Sequence, residues 1–94
     1  MEDKSDKIMN DIIWDACKKL DLTVDTYQKA MNYLMSGKIT WNKSNEKGIV
    51  AACVYIAANL MREIRSQRIV GNAFGVSEVT VRNHYKRIEK LIGG

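Results

Sequence analysis

The run IVAACVYIAANLM, from Ile49 to Met61, constrains the fold of this chain more than any other stretch. Its 13 residues are too few to cross a bilayer, which takes about 20 apolar residues in a helix. Wound into a helix, they are apolar almost all the way round, not along one stripe. A helix of that kind is stable only when other elements cover it. Ala51, Ala52, Ala57 and Ala58 would let those neighbours approach closely. The sequence therefore predicts a central helix from Ile49 to about Arg62, capped at Ser44 or Asn45.

The remaining segments supply the cover. From about Ser5 to Leu20, Ile8, Ile12, Ala16 and Leu20 recur every four residues, with Met9, Ile13 and Cys17 beside them. That is the wide apolar stripe of a first helix. Thr23 suits the N-cap of a second helix, with Asp25 in its first turn. Tyr27, Ala30, Met31 and Leu34 form its buried face, and Gly37 is expected to end it in a left-handed conformation. KITWNKSN follows as a loop. Beyond the central helix, Ser66 caps a short fourth helix, QRIVGNAF, which Gly75 breaks. Ser77 caps a fifth helix from Glu78 to about Ile92. No proline interrupts any of them. The expectation is an all-α fold of five helices in one domain, residues 1–94.

Several classes are excluded. Cys17 and Cys53 lie in apolar helical stretches, as buried reduced thiols do. A disulfide framework or zinc site would need more cysteines or a clustered spacing. With one histidine, no Ser/His/Asp grouping, no phosphate-cradling glycine loop and no metal spacing, neither an enzyme nor a cofactor or metal site is expected. The N-terminus MEDKSDK leads into no signal-type apolar region. A soluble intracellular protein with no membrane and no small-molecule substrate is expected.

The net charge of +4 is unevenly spread. Residues 1–61 carry eight lysines against eight acidic residues, whereas residues 62–94 carry seven basic residues against three acidic. All five arginines fall in that last third. Such asymmetry suggests a polyanion as partner. A solvated helical face is the alternative.

Residues 66–92 meet the requirements of a helix-turn-helix. Gly71 supplies the small residue where two steeply crossed helices meet, and Gly75 tolerates the positive φ of a tight turn. Val76 pins the turn to the core. Val70 and Phe74 face inward from helix four, and Val81, Tyr85, Ile88 and Ile92 from helix five. The opposite face of helix five carries Val79, Arg82, Asn83 and Lys86. A recognition helix brings its N-terminal residues to base edges in the major groove. Arginine pairs there with guanine, and a small apolar group packs on a thymine methyl. Val79, Arg82 and Asn83 are the candidate base readers; Ser66, Gln67, Arg68, Ser77, Thr80, Lys86 and Arg87 are suited to phosphates. The structural alternative packs Val79 on helix four or the preceding loop and pairs Arg82 with Glu78.

The segment GIVAACVYIAANL…RSQRIVGNAFGVSEVTVRNHYKRIEKL resembles the second cyclin-like repeat of archaeal transcription factor B and its eukaryotic counterpart, transcription factor IIB. The shared features are YIA at Tyr55–Ala57, the pair Ser66-Gln67 where the family has Thr-Gln, and GVSEVTVRNHYK at Gly75–Lys86. The likeness is strong over residues 48–91 and spans one of the family's two repeats. It implies a five-helix cyclin fold that binds double-stranded promoter DNA upstream of the TATA box, at the B recognition element. Val79 and Arg82 would then read bases, with Thr80 and Gln67 nearby. It further implies cooperation with TATA-binding protein, an archaeal or archaeal-virus source, and a cytoplasmic, nucleoid-associated location.

The chain departs from the family pattern in several places. Two cysteines cannot form the family's polymerase-recruiting zinc ribbon, and the first cyclin repeat is missing. Glu46 stands where the family has proline, Gly71 and Phe74 replace two small residues, and His84 replaces a basic one. His84 reads as a half-exposed neutral histidine. The competing function is a cyclin-fold interaction module that binds a protein of the transcription machinery in place of DNA. The basic, N-capped face of helix five argues for DNA.

Overall fold

The computed structural model describes residues 4–92, and the side chains from residue 10 onward. Its elements are α1 (Lys4–Lys19), α2 (Val24–Leu34), α3 (Glu46–Leu60), α4 (Gln67–Phe74) and α5 (Glu78–Leu91). No strand occurs among the described residues. α3 is the central helix, in contact with each of the other four. From Gly48 to Ala58 every α3 side chain but Tyr55 is buried. Each fully buried valine or isoleucine there contributes about 1.5–3 kcal/mol relative to exposure.

The sheath forms as the periodicities require. Ile13, Ala16, Cys17 and Leu20 bury the inner face of α1, with Ile12 partly covered; the side chains of Ile8 and Met9 lie outside the described residues. Ala30 and Leu34 are buried on α2, with Tyr27 and Met31 packed against the core. Trp14 meets Tyr27 edge-on at 5.0 Å, joining α1 to α2. Tyr55 meets Tyr85 at 5.0 Å, joining α3 to α5. Both cysteines are free and buried. Burial, with Glu63 nearby, pushes the Cys17 thiol up to about 11, and burial alone pushes Cys53 to about 12, so both stay protonated.

Two helix ends differ from expectation. α2 stops at Leu34, not at Gly37: Met35 caps it with φ −87°, and the Ser36 hydroxyl donates to the Tyr33 carbonyl at 2.7 Å. Gly37, at φ 81°, is left-handed but already in the loop. α3 begins at Glu46, three residues before Ile49. Asn45 holds its N-cap position by backbone only, because its side-chain oxygen accepts from the Asn42 N–H at 2.8 Å. α1 and α3 end without glycine, through left-handed Asp21 (φ 56°) and Arg62 (φ 62°). After each, the chain bonds back five residues, Leu22 N–H to Cys17 O at 2.9 Å and Glu63 N–H to Ala58 O at 2.8 Å. Those bonds satisfy helix-end carbonyls and hold an unfavourable φ in place.

Polar contacts tie the α3–α4 linker to the α1–α2 corner. The Glu63 carboxylate accepts from the hydroxyls of Thr23 and Thr26, each at 2.6 Å, and from the Thr23 N–H at 3.0 Å. Arg65 donates to the carbonyls of Leu20 at 3.0 Å and Asp21 at 3.2 Å, capping α1 from the far side of the sequence.

Candidate nucleic-acid interface

Local chemistry sets the two helices at the C-terminal end. Ser66 adopts an extended backbone and its hydroxyl oxygen accepts from the Ile69 N–H at 3.1 Å, starting α4. Ser77 does the same for the Thr80 N–H at 3.2 Å, starting α5. Between them Gly75 takes φ 73°, and Val76 N–H bonds back to Gly71 O at 2.9 Å. A Cβ at Gly71 would stand 2.7 Å from the Val76 carbonyl oxygen, so the close approach requiring glycine is between α4 and the turn backbone. Val70, Phe74, Val81 and Ile88 are buried, and Val76, Tyr85 and Ile92 pack against them. The inner faces are those the sequence predicts.

On the outer face of α5, Val79 is 50% exposed. Asn83, Lys86 and Arg87 are exposed and Arg82 is half-buried. Val79 is therefore not buried on α4 or the turn. Arg82 turns to α4, where its Nε–H donates to Gln67 Oε1 at 3.4 Å. Arg68 is exposed at the start of α4. The Ser77 and Thr80 hydroxyls lie 3.0 Å apart and share one proton, which leaves a single O–H to donate outward.

The other flank of α5 rests on α3. A Cβ at Gly48 would lie 2.6 Å from His84 Cδ2 and 2.8 Å from Thr80 Cγ2. Burial, reinforced by Arg87, holds the His84 ring below the ordinary histidine pKa. Its Nδ1 accepts from an Arg87 Nη at 3.4 Å. The ring is neutral at pH 7. The outer face of α5 thus has two borders: Gln67 with Arg82 toward α4, and Gly48 with Thr80 and His84 toward α3.

Sequence reasoning missed Gly48, which looks like an ordinary opening residue of the apolar run. It also counted Arg65 in the basic patch, although that guanidinium is engaged by backbone carbonyls. Among the described residues no cluster of three metal-ligating side chains forms, and no helix is long and apolar enough to cross a membrane.

These elements define an all-α domain that carries a helix-turn-helix at its C-terminal end. The family described as Transcription factor TFIIB repeat matches residues 7–91, and the chain belongs to it, as a cyclin-like repeat. Similar proteins include Transcription initiation factor IIB 1 of Thermoplasma volcanium, 42% identical over 78 residues, 80% of this chain and 25% of that protein. Transcription initiation factor IIB of Ignicoccus hospitalis is 39% identical over 80 residues, 85% of this chain and 25% of its own length. That of Archaeoglobus fulgidus is 34% identical over 79 residues, 82% of this chain and 24% of its own length. The chain thus spans about a quarter of the length of the curated relatives it matches.

Proposed function

We propose that this chain is a promoter-binding module of transcription initiation, equivalent to the second cyclin-like repeat of its relatives. It lays α5 in the major groove of double-stranded DNA. Val79, Arg82 and Asn83 meet base edges, as at a B recognition element. Ser66, Arg68, Ser77, Lys86 and Arg87 meet phosphates, with Thr80 beside them. The observation that carries this reading is the half-exposed Val79 standing beside Arg82 on an N-capped helix. An apolar side chain gains nothing from water there, but packs well on a thymine methyl. The relatives' names place them in transcription initiation; TATA-binding protein is the proposed co-ligand, in the cytoplasm of an archaeal cell.

One module with a handful of phosphate contacts should bind weakly, in the roughly 10⁻⁴–10⁻⁶ M range of non-specific binding at physiological salt. The test is a salt-titrated binding assay on duplexes with and without a B-recognition-like element. Arg82→Ala should relax sequence preference at a cost of about 1–3 kcal/mol, whereas Lys86→Ala should weaken all duplexes alike and lower the salt slope by about 1. No binding at low salt, or a preference indifferent to Arg82→Ala, would refute the reading.

A second reading rests on a mostly apolar groove between α2, α3 and α5, lined by Tyr33, Ile56, Leu60 and Ile92 with Asn59 and Glu89, where Leu60 is 58% exposed. A protein of the transcription machinery would use that groove. In an NMR titration with duplex DNA, shifts confined to residues 66–68 and 77–87 favour the DNA reading. Shifts confined to the groove on adding a protein partner, with none from DNA, favour the other.

A further inference from the structure

Resting on the reading of α5 as the groove-facing helix, we infer that Gln67 is a positioning residue that commits Arg82 to guanine. A guanidinium carries five N–H donors in a planar fork. Gln67 Oε1 accepts the Nε–H of Arg82 at 3.4 Å. That occupies the side edge of the fork and leaves the end edge, the two Nη groups, free. Two parallel donors match the O6 and N7 acceptors of guanine. Adenine offers N7 but places an N6 amino donor beside it, so a fork held end-on meets one acceptor and one repelling donor.

An unrestrained arginine side chain could instead swing to a phosphate, where it would add affinity and no discrimination. The Gln67 contact opposes that swing, and its anchor is rigid. Gln67 opens α4 directly after the Ser66 cap. α4 is in turn fixed against the turn by the close approach of Gly71 to the Val76 carbonyl. The backbone that carries Gln67 therefore sits at a set place relative to α5, within reach of Arg82. This revises the expectation that Gln67 serves chiefly as a phosphate contact. A neutral amide releases no counterion, but it can hold a charged reader in one orientation.

The experiment compares the 94-residue chain with Gln67→Met, Gln67→Glu and Arg82→Ala on two duplexes. These differ at the one G·C pair whose preference Arg82→Ala abolishes. Gln67→Met keeps the length and removes the acceptor; the guanine preference should fall about tenfold, within the roughly 5- to 150-fold a bidentate arginine–guanine pair supplies. The melting temperature and the salt slope should stay at wild-type values. Gln67→Glu keeps an acceptor at the same reach, so the preference should survive while every duplex binds more weakly because of the added negative charge. In the Arg82→Ala background Gln67→Met should change nothing further.

If Gln67→Met keeps the full guanine preference, or weakens both duplexes equally, the positioning role is overturned and the DNA reading stands. An effect of Gln67→Met that persists without Arg82 overturns it too. If the wild-type chain itself prefers neither duplex at low salt, the DNA reading falls first, and visibly so.

Discussion

Gly48 of α3 lies directly under the ring of His84 on α5: a Cβ at Gly48 would stand 2.6 Å from Cδ2 of that ring. The contact sets how deeply α5 seats on the central helix, and so where its outer face stands. Gly48→Ala should therefore destabilise the chain despite alanine's better helix propensity. Overpacking costs about 1–3 kcal/mol, offset by about 1 kcal/mol of propensity. A net loss of about 1 kcal/mol corresponds to a fall of roughly 4–8 °C in melting temperature for a domain of this size. His84→Ala in the same chain removes the closer of the two clashes and leaves the one with Thr80 Cγ2 at 2.8 Å, so the two changes should be partly non-additive in a double-mutant cycle of thermal melts. Simple additivity would show that the ring moves aside freely.

Glu63 makes stability depend on acid. Hydrogen bonds from Thr23 and then Thr26 hold its carboxyl below the ordinary glutamate value, outweighing a desolvation effect of opposite sign, with Arg65 helping. A folded pKa below the unfolded one means the ionised form is favoured by folding. The contribution is then present above the unfolded value, roughly 4.3, and is lost as pH falls through the folded value. Glu63→Gln cannot titrate. It should be less stable than wild type at pH 7 by about 1 kcal/mol, a modest figure because the carboxylate is partly solvated. The gap should close below about pH 4. Urea unfolding of both proteins across pH 3–7 measures it; a gap constant over that range would contradict the assignment.

Arg62 holds φ 62°, a conformation disfavoured for a residue with a Cβ. Glycine removes that penalty of about 1–2 kcal/mol but adds unfolded-state entropy worth about 0.5–1 kcal/mol. Arg62→Gly should therefore stabilise by about 0.5–1 kcal/mol, read as a higher urea midpoint with an unchanged slope. A decrease would mean that the exposed arginine side chain makes contacts that outweigh its backbone strain.

The sequence was most legible where structure is local. An apolar run with no polar stripe announces a central helix. Ser66, Ser77 and Gly75 announce the helix-turn-helix, because caps and left-handed glycines act within three or four residues. Legibility failed where a distant partner decides. Thr26 looks like a poor core residue until Glu63, 37 positions away, accepts a hydrogen bond from its hydroxyl. Arg62 and Asp21 take the left-handed role assumed to need glycine, because backbone bonds to Ala58 and Cys17 hold them there. The family resemblance puts Gln67 near Arg82, 15 positions on, but nothing in the sequence shows that its oxygen accepts the Nε–H. A charge count sees every arginine alike and cannot tell a cation facing solvent from one facing carbonyls.

That last distinction gives the sharpest contrast between two neighbouring arginines. Arg65 directs its guanidinium at the carbonyls of Leu20, Asp21, Glu63 and Ile64. Arg68, three residues on, is exposed at the start of α4. Arg65→Ala should cost about 1–3 kcal/mol of stability, because it leaves part-buried carbonyls without a donor. The salt dependence of DNA binding should stay intact. Arg68→Ala should leave the stability within about 0.5 kcal/mol of wild type, as surface changes do. It should reduce the slope of log affinity against log salt by about 0.9, one phosphate contact. Thermal melts and salt-titrated anisotropy on the same two variants separate the roles. The assignment fails if Arg65→Ala flattens the salt slope in a protein that melts like wild type.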